Sequence, residues 1–288
     1  QRVCSAAAAG RNRAAAAEHT LWQQVTMRPT QFFTESSSPQ FTRVARVYDD
    51  LMAGISYGLW LCYIKELWRA RALAPDSVLD VACGTGNVTY RLAAEGYETW
   101  GVDYSQPMID IARSKLPAYR GRGPAPQFEC QNASAISLPR NFDAAVSLFD
   151  SLNYILDEED LKRAFAAVAR HLNPGGVFMF DVNTVFALSH RFFDQDNLSS
   201  QRFPLYRWVS HWDPETRLCT IEMDFRTLGE NGIEDFHETH YQRGYTTLQL
   251  RQGLEQAGLT DVEFLHAFTT RPPSGRSDRI YVISRKPR

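Results

Sequence analysis

The chain has 288 residues and a formal net charge of −2 at pH 7, from 31 basic and 33 acidic side chains. Apolar residues make up 44% and charged residues 22%, a composition that excludes general disorder. The balanced charge argues against a nucleic-acid partner or an anionic membrane surface. None of the 5 cysteines forms a C-x-x-C pair, so we expect no disulfide framework and a cytoplasmic protein.

The first 40 residues carry no clear fold pattern. Residues 1–26 are rich in Ala and Arg, which is typical of a transit peptide and also of a non-native extension, and Met27 is an alternative start. Residues 28–40 add Thr, Ser and Pro and are predicted to form a loop. We therefore expect 1–40 to be a disordered or non-native leader and 41–288 to form a single domain.

Helical and strand patterns then follow in a regular order. Apolar residues at helical spacing predict helices over 41–52 and 57–73. Strands are predicted at 77–82, 98–103, 127–130, 142–148 and 177–182, with helices at 87–95, 106–116 and 158–172 between them. This alternation predicts an α/β fold with a parallel sheet and helices on both faces.

The pattern changes after residue 182. Strands are predicted at 205–212, 218–227 and 233–243, and in the middle one apolar and polar residues alternate. We therefore expect an antiparallel insertion over 184–245. A helix at 246–257 and strands at 261–265 and 279–284 are predicted to complete the fold.

A glycine-containing turn follows the strand at 77–82. Gly84 and Gly86 let a ligand approach the backbone closely, at the edge of the sheet where open α/β folds bind ligands. A dinucleotide-binding turn requires a third glycine, but Thr89 stands there. Asp103, at the end of the next predicted strand, can accept hydrogen bonds from both hydroxyls of a ribose. These features predict a site for an adenosine cofactor.

The stretch from Asp80 to Gly86 resembles motif I of the class I S-adenosylmethionine-dependent methyltransferases, D-x-G-x-G-x-G, with Ala82 in place of the first glycine. The resemblance implies S-adenosylmethionine as cofactor. It also implies a Rossmann-like, seven-stranded, mostly parallel sheet with an antiparallel insertion after strand five. The stretches 47–52 and 150–154 resemble a bacterial subgroup that acts on small molecules.

The resemblance also implies where the cofactor binds. Asn132 and Ala133 stand where the family contacts adenine, and the stretch 148–150 is expected beside the methionine part and the methyl group. The N-terminal helices, 41–76, are expected to form a lid over the cofactor, and the insertion to lie over the substrate. The implied cofactor-binding residues are Tyr48, Tyr57, Asp80, Ala82, Gly84, Gly86, Asp103, Tyr104, Met108, Asn132, Ala133, Leu148 and Asp150.

Methyl transfer from a sulfonium depends mainly on positioning, and it needs a base only where the acceptor must lose a proton. Glu238 and His240 share one face of a predicted strand and could pair over the acceptor, although a solvated strand face also explains them. His237 and His240 should point to opposite faces, so no metal site is expected. The Arg-containing loop 271–279 is predicted to be solvated. The candidate catalytic residues are Asn153, Tyr154, Glu238 and His240.

The sequence therefore predicts an enzyme that methylates a small-molecule acceptor. Two alternatives stay open: methylation of a macromolecule such as tRNA or protein, and a non-catalytic, cofactor-binding partner subunit. A related cofactor, such as a carboxymethyl sulfonium, would need an additional Arg beside the sulfur. The longest apolar runs are far shorter than the ~20 residues of a membrane helix, so no membrane partner is expected. We expect a monomer or a homodimer.

Overall fold

The computed structural model describes residues 39–230 and 232–288, so the leader predicted for 1–40 lies outside the described residues except at Pro39 and Gln40. The α-helices in this part of the chain are α1 (Ala45–Leu51), α2 (Tyr57–Ala70), α3 (Asn87–Glu95), α4 (Gln106–Ser114), α5 (Glu158–His171), α6 (Val185–Ser189) and α7 (Thr247–Gln256). No helix among these residues is long and apolar enough to cross a membrane.

The strands form two sheets. Those of the larger sheet are β1 (Ser77–Val81), β2 (Glu98–Asp103), β3 (Gln127–Cys130), β4 (Phe142–Ser147), β5 (Leu172–Asn183), β10 (Thr260–His266) and β11 (Arg279–Arg285). Those of the smaller sheet are β6 (Gln195–Asp196), β7 (Leu205–Asp213), β8 (Leu218–Gly229) and β9 (Gly232–Arg243).

The larger sheet has the strand order β3-β2-β1-β4-β5-β11-β10. Neighbours from β3 to β5 pair in parallel, and β11 runs antiparallel to both β5 and β10. The predicted seven-stranded, mostly parallel sheet is confirmed. The chain leaves β1 towards β2 on one side and later places β4 on the other side. The carboxyl ends of β1 and β4 therefore mark the topological switch point, where such sheets bind ligands.

Helices cover both faces of this sheet, as predicted. Leu79 and Val81 of β1 belong to an apolar cluster with α5 and α7, whereas Val78 belongs to a cluster with α2 and α3. Every residue of β1 is buried. A strand buried on both faces has a nearly continuous apolar sequence, which is why this strand could be predicted.

The insertion forms the smaller sheet, which is antiparallel with the order β6-β7-β8-β9. Apolar side chains along β8 alternate with less buried polar ones, which confirms the predicted alternation. The buried residues of β8 pack in one cluster with Val47 of α1 and Met108 of α4. The N-terminal segment thereby connects the insertion with the larger sheet.

The structure corrects several predicted boundaries. α1 begins at Ala45 rather than at residue 41, because Phe41 has a left-handed backbone (φ 59°) and its N–H is bonded to a side chain of the insertion. α2 ends at Ala70 and α4 at Ser114, before the predicted 73 and 116. β5 begins at Leu172 rather than at residue 177, and its pairing with β4 is irregular near this start. α6 and β6 were not predicted, because segments of 5 and 2 residues are too short to show periodicity.

Candidate active site

The loop that joins β1 to α3 turns sharply at the switch point. Ala82, Gly84 and Gly86 have left-handed φ values of 58°, 55° and 81°. A Cβ at Gly86 would also lie 2.8 Å from the ring of Phe128, so packing requires glycine there as well. A Cβ at Gly84 would stand 3.8 Å from the ring of Tyr48. The loop backbone therefore faces Tyr48 without a side chain between them.

One buried and one partly buried carboxyl group flank this loop. Asp103, at the end of β2, accepts hydrogen bonds from the N–H groups of Gly84 (2.8 Å) and Ser105 (2.8 Å). Asp80, in β1, accepts one from the hydroxyl of Thr89 (2.6 Å). Burial raises the pKa of Asp103, and burial raises the pKa of Asp80 to about 7. Asp103 thus ties the glycine loop to β2 and keeps lone pairs for a ligand hydroxyl.

α1 is bound to the same loop by Asp49. Its carboxylate accepts hydrogen bonds from the Thr85 hydroxyl (2.6 Å) and the Asn87 amide (2.8 Å), and it pairs with Lys115 (2.5 Å). Partial burial raises the pKa of Asp49, but these partners outweigh it and the net shift is downward. Asp49 was not among the predicted site residues. It stands beside Tyr48 in the quoted stretch 47–52, yet no local pattern distinguishes it.

Tyr48 stands at the centre of the candidate site. Burial raises the pKa of its hydroxyl, and Tyr57, Tyr154, Asp150 and Asp103 raise it further, so these four groups are its electrostatic neighbours. They come from α2, from the segment after β4 and from the end of β2. The groups that raise the pKa of Tyr48 thus come from parts of the chain that are far apart in the sequence.

The chain makes a second unusual turn just after β4. Phe149 and Asp150 both have left-handed φ values, 63° and 50°. Their N–H groups donate to the carboxylate of Asp181 at 2.7 and 2.9 Å. The Asp150 carboxylate accepts hydrogen bonds from Arg279 (2.7 Å) and Gln242 (2.6 Å), and Arg279 also pairs with Asp181. Arg279 is largely buried in this network, so the prediction of a solvated loop is wrong at this residue.

Glu238 and His240 are buried on the inner face of β9 and pair there, His240 Nε2 lying 2.9 Å from a Glu238 carboxylate oxygen. The two side chains do pair, and the solvated strand face is excluded, whereas a position over the acceptor stays a prediction. The other ring nitrogen, Nδ1, lies 3.5 Å from the Tyr154 hydroxyl. If Nε2 carries the proton donated to Glu238, Nδ1 is free to accept one from Tyr154. Burial raises the pKa of Tyr154.

Glu238 has a second set of partners that the sequence did not reveal. Its carboxylate accepts hydrogen bonds from the backbone N–H groups of Phe41 (3.0 Å), Arg43 (2.5 Å) and Val44 (2.9 Å). The Phe41 ring packs edge-on against His240, with the ring centres 4.7 Å apart. Glu238 therefore anchors the segment before α1 to the insertion, in addition to contacting His240.

Asn153 is fully buried, and its amide is engaged with the backbone. Its Nδ2 donates to the carbonyl groups of Asn183 (3.1 Å) and Arg243 (2.9 Å), and its Oδ1 accepts from the N–H of Asn183 (2.9 Å). These bonds join the segment after β4 to β5 and β9. The arrangement favours a role in holding the site together.

Other predicted cofactor residues lie at the ends of β2 and β3. Tyr104, next to Asp103, is 77% exposed. Asn132 is exposed and caps a short turn at Ala133–Ala135, where its Oδ1 accepts hydrogen bonds from Ser134 at 2.9 Å. The side-chain oxygen of Asn132 is thus already bonded within the turn, and its amide NH₂ has no such partner among the described residues.

Three predicted cofactor residues are buried in apolar clusters. The guanidinium of Arg91 lies over the Tyr57 ring, 4.3 Å from the ring centre. Burial raises the pKa of the Tyr57 hydroxyl to about 12. Met108 lies in the cluster between α4, α1 and the insertion, and Leu148 in the cluster under α2 and α3. Met108 and Leu148 are therefore placed to support the walls of the site from behind.

Comparison with known proteins identifies the class. Residues 78–176 match a family model described as a methyltransferase domain. The chain is 32% identical over 241 residues to a putative methyltransferase of Geobacillus sp. (strain WCH70), covering 83% of this chain and 96% of the relative. A crystal structure of an S-adenosylmethionine-dependent methyltransferase from Clostridium acetobutylicum ATCC 824 matches with a TM-score of 0.71 and 30% identity, over 85% of this chain and 98% of the other.

A further relative is the dTDP-3-amino-3,4,6-trideoxy-alpha-D-glucopyranose N,N-dimethyltransferase of Streptomyces venezuelae. It is 31% identical over 242 residues, which cover 81% of this chain and 94% of the relative. The chain belongs to the class I S-adenosylmethionine-dependent methyltransferases, as its glycine loop indicated. It is an enzyme of this family, and S-adenosylmethionine is its cofactor.

Proposed function

We propose that this methyltransferase transfers the methyl group of S-adenosylmethionine to a nitrogen atom of a small-molecule acceptor, at the carboxyl ends of β1, β2 and β4. The observation that carries the proposal is that Asp103 bonds the glycine loop at Gly84, where the Tyr48 ring faces the same bare backbone. When bound, the cofactor would supply a methyl group attached to a positively charged sulfur, and in-line displacement would transfer this methyl group to the acceptor.

The residues present suit this cofactor. The carboxylate of Asp103 is oriented by two backbone N–H groups and has lone pairs left for ribose hydroxyls. Gly84 presents backbone without a side chain towards Tyr48, and the Tyr48 ring would cover the bound cofactor. The carboxyl groups of Asp80 and Asp150 would lie on the side of the cationic methionine part. The remaining predicted residues would border the adenosine or support these groups from behind.

The proposal of a nitrogen acceptor rests on relatives and on charge. The Streptomyces venezuelae relative is named for N,N-dimethylation of an amino sugar, and so is a 30% identical relative from Streptomyces fradiae. In this chain the buried carboxylate of Glu238 lies behind His240 and Tyr154, on the side proposed for the acceptor. A negative charge there favours a protonated amine over an anionic acceptor.

An amine can attack only after its ammonium form loses a proton. Tyr154 is the side chain that would touch the acceptor: its oxygen takes the ammonium proton as its own hydroxyl proton moves to His240 Nδ1. The imidazolium so formed is stabilised by the buried carboxylate of Glu238, 2.9 Å away. Tyr154 is then the proposed catalytic residue, with His240 and Glu238 acting through it.

The carboxymethyl alternative requires an Arg that is free to bind an anion. Arg279 lies close to Asp150, but it is paired with both Asp150 and Asp181. This observation favours the ordinary methyl-donating cofactor. The cytoplasmic location, the lack of a nucleic-acid partner and the monomeric or homodimeric state stay predictions.

The test is transfer of label from methyl-tritiated S-adenosylmethionine to a panel of acceptors: amino sugars and their nucleotide conjugates, simple amines, hydroquinones, tRNA and a denatured protein mixture. We expect labelled amine products, and a strong loss of turnover in His240→Gln with little change in cofactor affinity. The matched control is His237→Gln, on the opposite face of β9, which should retain turnover. Label found in hydroquinone, tRNA or protein, and in no amine, would overturn the proposal.

A further inference from the structure

The turn after β4 is held in a conformation that its own residues disfavour. Phe149 and Asp150 are adjacent, neither is glycine, and both have left-handed φ values. Such conformations persist only where the surroundings enforce them, and they concentrate at functional sites. The turn therefore needs an explanation outside its own sequence.

Asp181 supplies most of that explanation. It is fully buried on β5, and its carboxylate accepts the N–H groups of both Phe149 (2.7 Å) and Asp150 (2.9 Å). Arg279 of β11 pairs with Asp181 and also donates to the Asp150 carboxylate at 2.7 Å. The Arg279 guanidinium lies 5.5 Å from the ring centre of Trp60, which covers it. Two carboxylates and one guanidinium thus form a closed cluster at the end of β4.

We propose that Asp181 and Arg279 are positioning residues for methyl transfer: they fix the Phe149–Asp150 turn so that the carboxylate of Asp150 faces the charged sulfur of the cofactor. This inference rests on the function proposed above. β4 pairs in parallel with β1, so the turn after β4 lies at the same edge of the sheet as the glycine loop after β1. With both carboxylates ionised, the cluster keeps one negative charge, which favours a sulfonium over a neutral thioether.

The cluster should also give the site a pH dependence. Burial and the Asp150 carboxylate raise the pKa of Asp181 to about 6, against the opposing effect of Arg279. The other titratable group beside it is Tyr281 on β11, next to Arg279. Below about pH 6, Asp181 gains a proton, loses its negative charge and holds the turn less tightly. The preference for the charged ligand should therefore fall as the pH falls.

The experiment compares the dissociation constants of S-adenosylmethionine and of S-adenosylhomocysteine, its neutral product, by calorimetry between pH 5 and 7.5. In Asp181→Asn we expect roughly a tenfold loss of affinity for S-adenosylmethionine, with the affinity for S-adenosylhomocysteine nearly unchanged. The pH dependence of the ratio should disappear in this variant. The matched control is Asp143→Asn. Asp143 also accepts two backbone N–H groups, but at the opposite end of β4. In this variant the ratio of the two dissociation constants should equal that of the wild type.

The outcomes separate this inference from the proposed function. Equal losses for both ligands in Asp181→Asn, or an unchanged ratio, would overturn the positioning role. If that variant does not fold, the wild type decides: a ratio that is flat from pH 7.5 to 5 overturns the inference. If the folded, ligand-free wild type binds neither ligand, the proposed function itself fails.

Discussion

Ala82 occupies a backbone conformation that favours glycine. Its φ of 58° is left-handed, which costs an L-residue about 1–2 kcal/mol, whereas the extra freedom of glycine in the unfolded chain costs roughly 0.5–1 kcal/mol. We predict that Ala82→Gly raises the free energy of unfolding by about 0.5–1 kcal/mol, measured by urea denaturation. This is the position where the family motif has its first glycine.

The control for this prediction is Ala93→Gly. Ala93 is buried within α3, so glycine there should lower the free energy of unfolding by about 1 kcal/mol. A comparable loss in Ala82→Gly would show that the left-handed backbone does not strain Ala82.

Asp80 is predicted to destabilise the ligand-free protein at high pH. Burial raises its pKa to about 7, above the usual value near 4 of the unfolded chain, so the folded state holds the proton more tightly. Stability therefore falls as the pH rises from about 4 to about 7, by roughly 2–4 kcal/mol. Asp80→Asn removes this loss, and it should unfold at higher urea concentration than the wild type at pH 8 but at a similar one at pH 4.

Asp143 provides a control of opposite sign. Partial burial raises its pKa, but hydrogen bonds from Asn173, Ser77 and the backbone outweigh burial and the net shift is downward. Asp143→Asn should therefore be less stable than the wild type at pH 8. If both Asn variants lose stability at pH 8, the account of Asp80 is wrong.

Individual residues of the candidate site could be predicted where a local signature exists. Gly84, Gly86 and Asp103 follow predicted strands at a recognisable spacing, and the structure places them around one loop. Asp181 and Arg279 have no such signature, because they are 98 residues apart and meet only through the pairing of β5 with β11. The one available signal was a carboxylate inside the apolar run 177–182.

At the scale of elements, one buried side chain of the insertion binds three backbone groups of the segment before α1. Glu238 accepts the N–H groups of Phe41, Arg43 and Val44, although it is 194 to 197 residues away. Hydrogen bonds to a carboxylate are stronger than those to a neutral amide. We predict that Glu238→Gln speeds hydrogen exchange of these backbone amides by about tenfold or more, measured by NMR or mass spectrometry.

Glu222→Gln is the matched control for this prediction. Glu222 lies on the neighbouring strand β8 and bonds Thr239 rather than the N-terminal segment. Exchange at 41–44 should stay at the wild-type rate in this variant. Equal exchange in both variants and the wild type would show that Glu238 does not hold the segment.

Most elements could be predicted because their patterns are local. The predicted bounds 87–95, 98–103 and 127–130 agree with α3, β2 and β3. The start of α1 could not be predicted, because apolar spacing continues back to Phe41 while distant Glu238 bonds its N–H. The bulge in β5 likewise depends on pairing with β4, which lies beyond any local window.

At the scale of the whole molecule, the candidate site is assembled from three parts of the chain. The sheet contributes the glycine loop with Asp103 and Asp150, the N-terminal segment contributes Tyr48, and the insertion contributes Glu238 and His240. The alternating strands and helices predicted the sheet and the position of the loop. The contacts between the three parts are long-range, so their pairing is visible only in the folded chain.

The most direct test of the central claim is a calorimetric titration of the purified, ligand-free protein with S-adenosylmethionine, for the wild type, Asp103→Ala and Asp110→Ala. Asp110 is exposed on α4 and bonds only Gln106 among its described hydrogen-bond partners, so its variant should bind like the wild type. We predict micromolar binding to the wild type and a loss of at least about tenfold in Asp103→Ala. A folded wild type that does not bind, or equal affinity in Asp103→Ala, would contradict the cofactor site described here.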